Sequence, residues 1–468
     1  MNRFLLTIFF LLVTNCIFSK DLVIIGKIQN SANHSIALTF GPDPITGDKE
    51  IVNISLDDKG YFSLKYHTHA PNWVTFVFDQ NYKTMGWFMT FPGDTIHISG
   101  DLKDLKATLK YSGSNRNYDK YSDLIFGGSK YISTLTFPDT SNIDWEQVNN
   151  NLDNITLKRL FRLDSILQKG LLSKIESNCL LSNIKYQQYS DLLYLSNKAY
   201  NRIDPKLFKK YFKYDMPNDS IALISRCFND YVDNYIAIIC GIENGTLNKR
   251  FNYDFNLFKG YYEKGLKQLN GLTRDVYLTR QINYCFKHGL NGIEDLYAKY
   301  QIDCKSQFLK EINQKEFELF KLASNKVEKL DYKIVTEPSA NVTAFLKEFK
   351  GKVLLIEFWG SWCTPCIKAI PLVKKLETSI NNKDFQIIHV AIKDTYENLD
   401  FAIKKYNLLG IHLLLNEKIA KEWKKTIDFY SVPYYALVDR DGKIVKKDVL
   451  AIEYEFQDIK KTIEKTLK

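Results

Sequence analysis

The stretch VLLIEFWGSWCTPC, residues 353–366, decides the fold of the carboxyl-terminal part of the chain. Its first half, Val353 to Trp359, is almost continuously apolar, which is typical of a strand buried on both faces of a sheet. Its second half leads into a helix that we expect to run from Pro365 towards Ile380. A buried strand followed directly by a helix indicates an α/β fold.

Two cysteines separated by two residues lie at this junction. Thiols at this spacing can be bridged within one helical turn and parted again with little rearrangement, as a redox couple requires. Cys363 lies at the helix amino end, where unpaired N–H groups and the helix dipole favour the thiolate, so we predict that it is the attacking sulfur. Cys366 is expected to be more shielded and to resolve the mixed disulfide. Pro365 fixes φ at an early helical position, where its missing N–H is harmless.

Other uses of a cysteine pair fit this segment less well. A zinc site needs about four ligands, and the segment has neither a second cysteine pair nor a His-x-x-x-His motif. A c-type haem site would need a histidine where the chain has Ile367. A purely structural disulfide is chemically possible, but so tight a loop is reducible rather than stabilising. We therefore expect no metal and no other cofactor.

The remainder of the segment from about Val335 alternates apolar strands with amphipathic helices, which implies a sheet covered on both faces. The pattern predicts further strands at residues 385–392, 434–438 and 443–447, and helices at residues 397–406 and 456–467.

Residues 358–366 resemble the thioredoxin superfamily, specifically the envelope-facing thiol–disulfide oxidoreductases of the TlpA/ResA-like group. The resemblance extends over residues 331–468. Pro371 is similar to the family's helix proline, residues 431–434 (SVPY) to the loop whose cis-proline lies against the active-site sulfurs, and residues 439–442 (DRDG) to the hairpin turn that follows.

The resemblance implies a thioredoxin-like fold with a redox-active Cys363–Cys366 disulfide. It further implies that Val432 offers backbone hydrogen bonds to an extended substrate strand. A cis Pro433 would keep metals and stray N–H contacts off the dithiol. A proline is expected at this position because a cis peptide bond is costly before any other residue.

Glu357 occupies the position where thioredoxins place a buried carboxylate. We predict that it lies beneath the dithiol, where desolvation raises its pKa and lets it accept the proton of Cys366. The alternative is a strand-end residue facing solvent. The TlpA/ResA-like group often has an acidic residue where this chain has Ala369. The proton of Cys366 would therefore be accepted by Glu357 or by water, or no group would assist its removal. Trp362 is predicted to form the apolar wall of the substrate face, or else to be a packing aromatic.

Residues 20–113 show period-two alternation interrupted by turn residues, which predicts an all-β sandwich. This segment resembles, more weakly, the amino-terminal β domains of some envelope thioredoxins. His67 and His69 lie where a strand ends and have no further ligands nearby in sequence, so we interpret them as surface polar residues rather than a metal site.

Residues 114–330 carry apolar residues every three or four positions, which predicts an α-helical region. This region holds five cysteines that we interpret mainly as buried thiols, with a disulfide among them as the open alternative. They are Cys179, Cys227, Cys240, Cys285 and Cys304.

The amino terminus has the build of a secretory signal, predicted at residues 1–19: a basic start, an apolar stretch from Phe4 to Val13, and a polar tail with Ser19 at the cut. The apolar stretch falls short of a membrane-spanning helix. Cys16 makes lipidation an alternative. We expect an exported protein of the periplasm or cell envelope that associates with the membrane only if it is lipidated or if the signal stays uncleaved.

Composition narrows the function classes further. The chain has 468 residues, of which 45% are hydrophobic and 25% charged, and a mean hydropathy of −0.27, which excludes a polytopic membrane protein and a disordered chain. The net charge of +10 is spread along the chain, so it supports no nucleic-acid partner.

These observations together predict an exported disulfide reductase. Cys363 would attack a protein disulfide client, Cys366 would resolve the mixed disulfide, and a membrane thiol–disulfide donor would re-reduce the pair. Two alternatives remain: a disulfide oxidase, and an envelope binding or scaffold module in which the thioredoxin-like domain docks a partner.

Overall fold

A computed structural model describes much of the chain from residue 20 onwards. The described residues are 20–31, 34–41, 43, 50–68, 72–78, 84–113, 144–170, 172, 174–198, 222–243, 255–290, 292–324, 330–380, 382–429, 431–449 and 452–468. The predicted signal at residues 1–19 lies outside them, as do Cys16 and His69. Within the described residues, no helix combines the length and apolar character needed to cross a membrane.

The chain divides into two compact units. The first comprises residues 1–282 and 296–310, and the second comprises residues 283–295 and 311–468. The second unit thus takes in two segments that precede residue 331.

The predicted β sandwich is confirmed by two four-stranded sheets in the first unit, with strand orders β4-β1-β7-β8 and β3-β2-β5-β6. Their strands are β1 (Lys20–Gln29), β2 (Ser35–Phe40), β3 (Glu50–Ser55), β4 (Tyr61–Thr68), β5 (Asn72–Phe78), β6 (Thr84–Thr90), β7 (Thr95–Asp101) and β8 (Lys110–Ser112). Alternate side chains of both sheets, such as Ile24 of β1 and Phe76 of β5, are fully buried in one shared core. His67 is exposed and pairs with Asp21, its neighbour on β1.

The helical middle region is also confirmed. A short helix, α1 (Leu105–Thr108), lies before it, between β7 and β8 of the β sandwich. The helices of the middle region are α2 (Trp145–Gln168), α3 (Lys174–Lys198), α4 (Arg226–Glu243), α5 (Phe255–Gln268), α6 (Gly271–His288), α7 (Ile293–Asp303) and α8 (Gln307–Ser324). All five cysteines of this region are thiols rather than disulfide partners. The expectation of buried thiols is met at four of these positions, whereas Cys227 is only half-buried because it lies on a partly exposed side of α4.

The second unit contains a six-stranded mixed sheet in the order β14-β13-β10-β11-β12-β9. The strands are β9 (Tyr332–Val335), β10 (Val353–Trp359), β11 (Phe385–Ile392), β12 (Gly410–Leu415), β13 (Tyr434–Val438) and β14 (Ile444–Val449). The helices are α9 (Val342–Lys347), α10 (Thr364–Ser379), α11 (Tyr396–Tyr406), α12 (Glu417–Ile427) and α13 (Ile452–Leu467). Strands β9 to β12 run parallel where they pair, and β13 runs antiparallel to β10.

Strand β10 lies in the middle of this sheet and is buried along its whole length. Its even-numbered residues, such as Ile356 and Phe358, pack with α9 and α12. The odd-numbered residues Val353 and Leu355 pack with α10 and α13 on the other face. The near-continuous apolar run of β10 follows from this double coverage, and it confirms the predicted α/β architecture.

Candidate active site

The two cysteines of the strand–helix junction form a disulfide at the start of α10. Cys363 is the N-cap residue of the helix, and Cys366 lies one turn further in, with 5.2 Å between the two Cα atoms. The backbone N–H of Cys366 points at Sγ of Cys363, at 3.2 Å. Cys363 is 3% exposed and Cys366 is fully buried. On reduction, the helix end and this N–H would stabilise negative charge on Cys363, whereas Cys366 has only buried surroundings.

The loop before Cys363 is held through Ser361 on two sides. The backbone N–H and the hydroxyl of Ser361 donate to the two carboxylate oxygens of Asp394, at 2.6 and 2.8 Å. Its carbonyl oxygen lies 2.7 Å from Nδ1 of His288, at the end of α6. Burial raises the pKa of Asp394, and the hydrogen bonds that it accepts from Ser361 and Thr395 offset this only in part. The backbone N–H, the hydroxyl and the carbonyl oxygen of Ser361 thus each have a hydrogen-bond partner, as is expected of a residue that is only 2% exposed.

Trp362 folds back over this loop. Its indole N–H donates to the carbonyl oxygen of Ile392 at 3.0 Å, and its ring packs against the apolar cluster that contains the disulfide. A Cβ atom on Gly360 would come within 2.5 Å of the indole nitrogen. Glycine at this position therefore gives the indole room to lie over the loop. Trp362 remains half-buried, and its role as a wall for substrate stays a prediction.

The Val432–Pro433 peptide bond is cis, and it precedes β13 directly. Val432 is half-buried and packs against the same cluster as Cys363 and Cys366. Pro365, the second residue of α10, is exposed, and Pro371 lies inside the same helix. The structure thus brings the cis-proline loop and the dithiol to one end of the sheet.

Glu357 is buried rather than facing solvent, with 2% of its surface exposed. One carboxylate oxygen lies 2.6 Å from Nδ1 of His389, and the other accepts a hydrogen bond of 3.1 Å from the hydroxyl of Tyr435. His389 stacks on His412, with 4.6 Å between ring centroids and 11° between ring planes. We call these four residues the buried polar row; Tyr435, Glu357, His389 and His412 are neighbours in register on β13, β10, β11 and β12.

Several of these residues were not predicted from the sequence as parts of the site. Asp394 and Tyr435 are ordinary polar residues next to or within strands, and His288 lies far away along the chain. His389 carried the one usable signal, because a histidine inside an otherwise apolar strand needs a buried partner.

The described residues contain no group of three or more His, Cys, Asp or Glu side chains arranged to hold a metal ion. The dithiol and the polar groups around it are the reactive groups that the structure places at this end of the sheet.

Comparison with known proteins identifies relatives of this region. The family model described as Redoxin matches residues 324–463. A thiol-disulfide oxidoreductase ResA from Bacillus thuringiensis subsp. konkukian is 31% identical over 102 residues, which is 22% of this chain and 57% of the relative. A ResA from Bacillus anthracis is 33% identical over 106 residues, with the same coverage. The chain thus spans little more than half the length of these curated relatives.

Among solved structures, the thioredoxin domain of a thiol-disulfide oxidoreductase from Bacteroides vulgatus is similar, with 29% identity and a TM-score of 0.24. The match covers 26% of this chain and 84% of that domain.

Proposed function

We propose, from the premise that residues 324–463 are a redoxin domain related to ResA-type thiol–disulfide oxidoreductases, that this protein reduces disulfides in exported protein clients. The observation that carries the proposal is the position of the dithiol. Cys363 caps α10 and Cys366 is buried one turn inside it, which is the asymmetry expected of an attacking and a resolving thiol.

The reaction begins with the reduced dithiol. The Cys363 thiolate attacks a client disulfide, forms a mixed disulfide and releases one client sulfur as a thiolate. Cys366 then loses its proton and attacks Sγ of Cys363, so that the Cys363–Cys366 bond forms and the second client sulfur leaves. Two electrons have passed to the client, and the domain is left in the disulfide form seen in the structure.

The groups around the dithiol are suited to holding a client segment. Val432 forms the cis peptide bond with Pro433, and its side chain packs against the cluster around the disulfide. Its backbone would pair with an extended client strand. Trp362, half-buried next to Cys363, would cover the apolar side of that strand.

The cycle needs a reductant to return the disulfide to the dithiol. We propose a membrane thiol–disulfide donor, because the secretory signal that we propose at residues 1–19 would direct the chain to the periplasm or cell envelope. The chain itself would stay membrane-associated only if it is lipidated or if the signal is uncleaved.

The proposal is tested with cysteine variants of the full chain. Cys363→Ala is expected to abolish reduction of insulin by the dithiol-activated protein, and Cys366→Ser is expected to trap client proteins as mixed disulfides. Cys227→Ser is the matched control, because Cys227 is a half-buried thiol outside the redoxin domain. Undiminished insulin reduction by Cys363→Ala would refute the proposal. Absence of trapped clients would favour a binding or scaffold module. Faster oxidation of reduced clients than reduction of oxidised ones would favour an oxidase.

A further inference from the structure

The buried polar row lies on the face of the sheet that α10 covers. Alternate residues of β10 point to the same face, and Glu357 therefore points the same way as its neighbours Leu355 and Trp359. Leu355 lies in one apolar cluster with Ala369 of α10, and Trp359 lies in one apolar cluster with both cysteines. The side chain of Glu357 thus faces the layer that contains α10 and the dithiol.

The row extends away from this carboxyl group through histidines that are fully enclosed. His389 is 3% exposed and His412 is not exposed at all. Burying two imidazoles and a carboxyl group next to one another is costly in a core, because each charged form loses its hydration. An arrangement of this kind is most easily tolerated when the groups share protons instead of carrying separate charges.

We propose that His389 is a positioning residue for the disulfide reduction proposed above, and that it shares with Glu357 the proton released by the Cys366 thiol. The inference rests on the proposed function. After resolution, the pair holds one additional proton across the 2.6 Å contact between Nδ1 of His389 and a carboxylate oxygen of Glu357.

The step balances as follows. The proton of Cys366 moves to the Glu357–His389 pair, directly or through one water molecule. The resulting Cys366 thiolate attacks Sγ of Cys363, the bond between Cys363 and the client breaks, and the client sulfur leaves with its electron pair. When a dithiol reductant later reduces the disulfide, the proton returns from the pair to Cys366.

Other titratable groups around the pair determine where the additional proton resides. Tyr435 on β13 donates to Glu357, and His412 on β12 stacks on His389. Burial first, and the neighbouring His389 second, hold the pKa of His412 well below its ordinary value. His412 therefore stays neutral and does not take up the proton, which remains with Glu357 and His389. Tyr332 on β9 contacts the His412 ring edge-on, with 6.3 Å between ring centroids, and the cysteines of α10 lie on the same face of the sheet.

The test separates the two chemical steps of a single turnover. Stopped-flow measurement follows mixed-disulfide formation and then its resolution between pH 5 and 9, for the full-length protein and for Glu357→Gln, His389→Asn and the double variant. Asn at position 389 keeps an N–H donor for the carboxylate but cannot take up a proton. We expect mixed-disulfide formation to change less than about twofold, and resolution to slow at least about 10-fold in each single variant, because general acid–base assistance is typically larger than this. The double variant should be no slower than the single variants, and the pH dependence of resolution should change.

Several outcomes would overturn the inference. Proton sharing would be excluded if His389→Asn resolved the mixed disulfide at the original rate and with the original pH profile. It would also be excluded if the double variant were slowed by the product of the two single effects, because the two residues would then act independently. If His389→Asn fails to fold, His389→Gln takes its place under the same criteria. A failure of the unsubstituted protein to form any mixed disulfide would instead count against the proposed function, so the two failures are distinguishable.

Discussion

Nδ1 of His288 lies 2.7 Å from the carbonyl oxygen of Ser361, two residues before the proposed nucleophile. A carbonyl oxygen only accepts, so the imidazole donates from Nδ1. Burial lowers the pKa of His288 to about 4, and the ring is therefore neutral at pH 7 with its proton placed by this bond. Together with Asp394, which accepts from the N–H and the hydroxyl of Ser361, His288 fixes both sides of the loop that leads to Cys363.

We expect His288→Ala to loosen this loop. The variant leaves the buried carbonyl oxygen of Ser361 without its donor, which costs about 1–3 kcal/mol. Backbone amides of residues 360–363 should exchange with deuterium faster, and insulin reduction should slow because Cys363 is less well placed. Asn at position 288 keeps a donor and should retain more of the protection. Unchanged exchange in residues 360–363 of the Ala variant would show that the bond does not hold the loop.

His288 should also make the protein sensitive to acid. Its pKa is about 6.5 in the unfolded chain and about 4 in the folded protein, so between these values the unfolded state binds a proton that the folded state excludes. The free energy of unfolding therefore falls as pH falls from about 6.5 to about 4, by up to about 3 kcal/mol for this group. Urea midpoints of the unsubstituted protein and His288→Asn should converge over that range. If the two urea midpoints instead differed by the same amount at every pH, the loss of stability in acid would come from groups other than His288.

The sequence predicted the parts of the fold that are specified by local pattern. Strands β10, β11 and β13 have the predicted bounds, because each is a near-continuous apolar run between two covered faces. Strand β12 was not among the predicted strands; its short run GIHLLL contains the buried His412, which stacks on His389 of the neighbouring strand. The predicted strand at residues 443–447 lies within two residues of β14 (Ile444–Val449), whose exposed edge carries a weaker pattern.

The same distinction applies to the candidate site. Cys363, Cys366 and Pro365 could be assigned roles because a helix start and a two-residue spacing are local features. The partners of Ser361 could not be predicted, because His288 is 73 residues away and Asp394 is 33 residues away along the chain. Such contacts are set by tertiary packing, for which the residues themselves carry no local pattern.

We expect Gly360→Ala to displace Trp362. The added methyl group would come within 2.5 Å of the indole nitrogen and 2.8 Å of the adjacent ring carbon, so the ring must move and its bond to the carbonyl oxygen of Ile392 must break. Tryptophan fluorescence should shift to longer wavelength as the indole becomes more exposed, and client trapping by Cys366→Ser should weaken in the double variant. The control is a glycine where an added methyl group meets nothing. Gly260 and Gly351 both have no heavy atom within 4 Å of an added Cβ, but Gly351 has a positive φ that strains alanine, so Gly260 is the suitable one. Gly260→Ala should leave both readouts unchanged, and an unshifted spectrum for Gly360→Ala would contradict the steric argument.

The midpoint potential of the Cys363–Cys366 pair should lie close to about −270 mV, the value for thioredoxin, rather than about −120 mV, the value for a strong oxidant. A strong oxidant has a stabilised reduced form, in which the thiolate is favoured. Here Cys366 is fully buried and Cys363 is 3% exposed, both inside an apolar cluster with Trp359 and Ile370. The helix end and the N–H of Cys366 favour a thiolate on Cys363, but desolvation of both sulfurs in that cluster opposes it. We expect desolvation to outweigh the helix end, which favours the disulfide form, lowers the potential and drives electrons towards clients. Equilibration with glutathione buffers, with Cys227→Ser as a control for unrelated thiols, measures the potential, and a value near about −120 mV would reverse the proposed direction of the reaction.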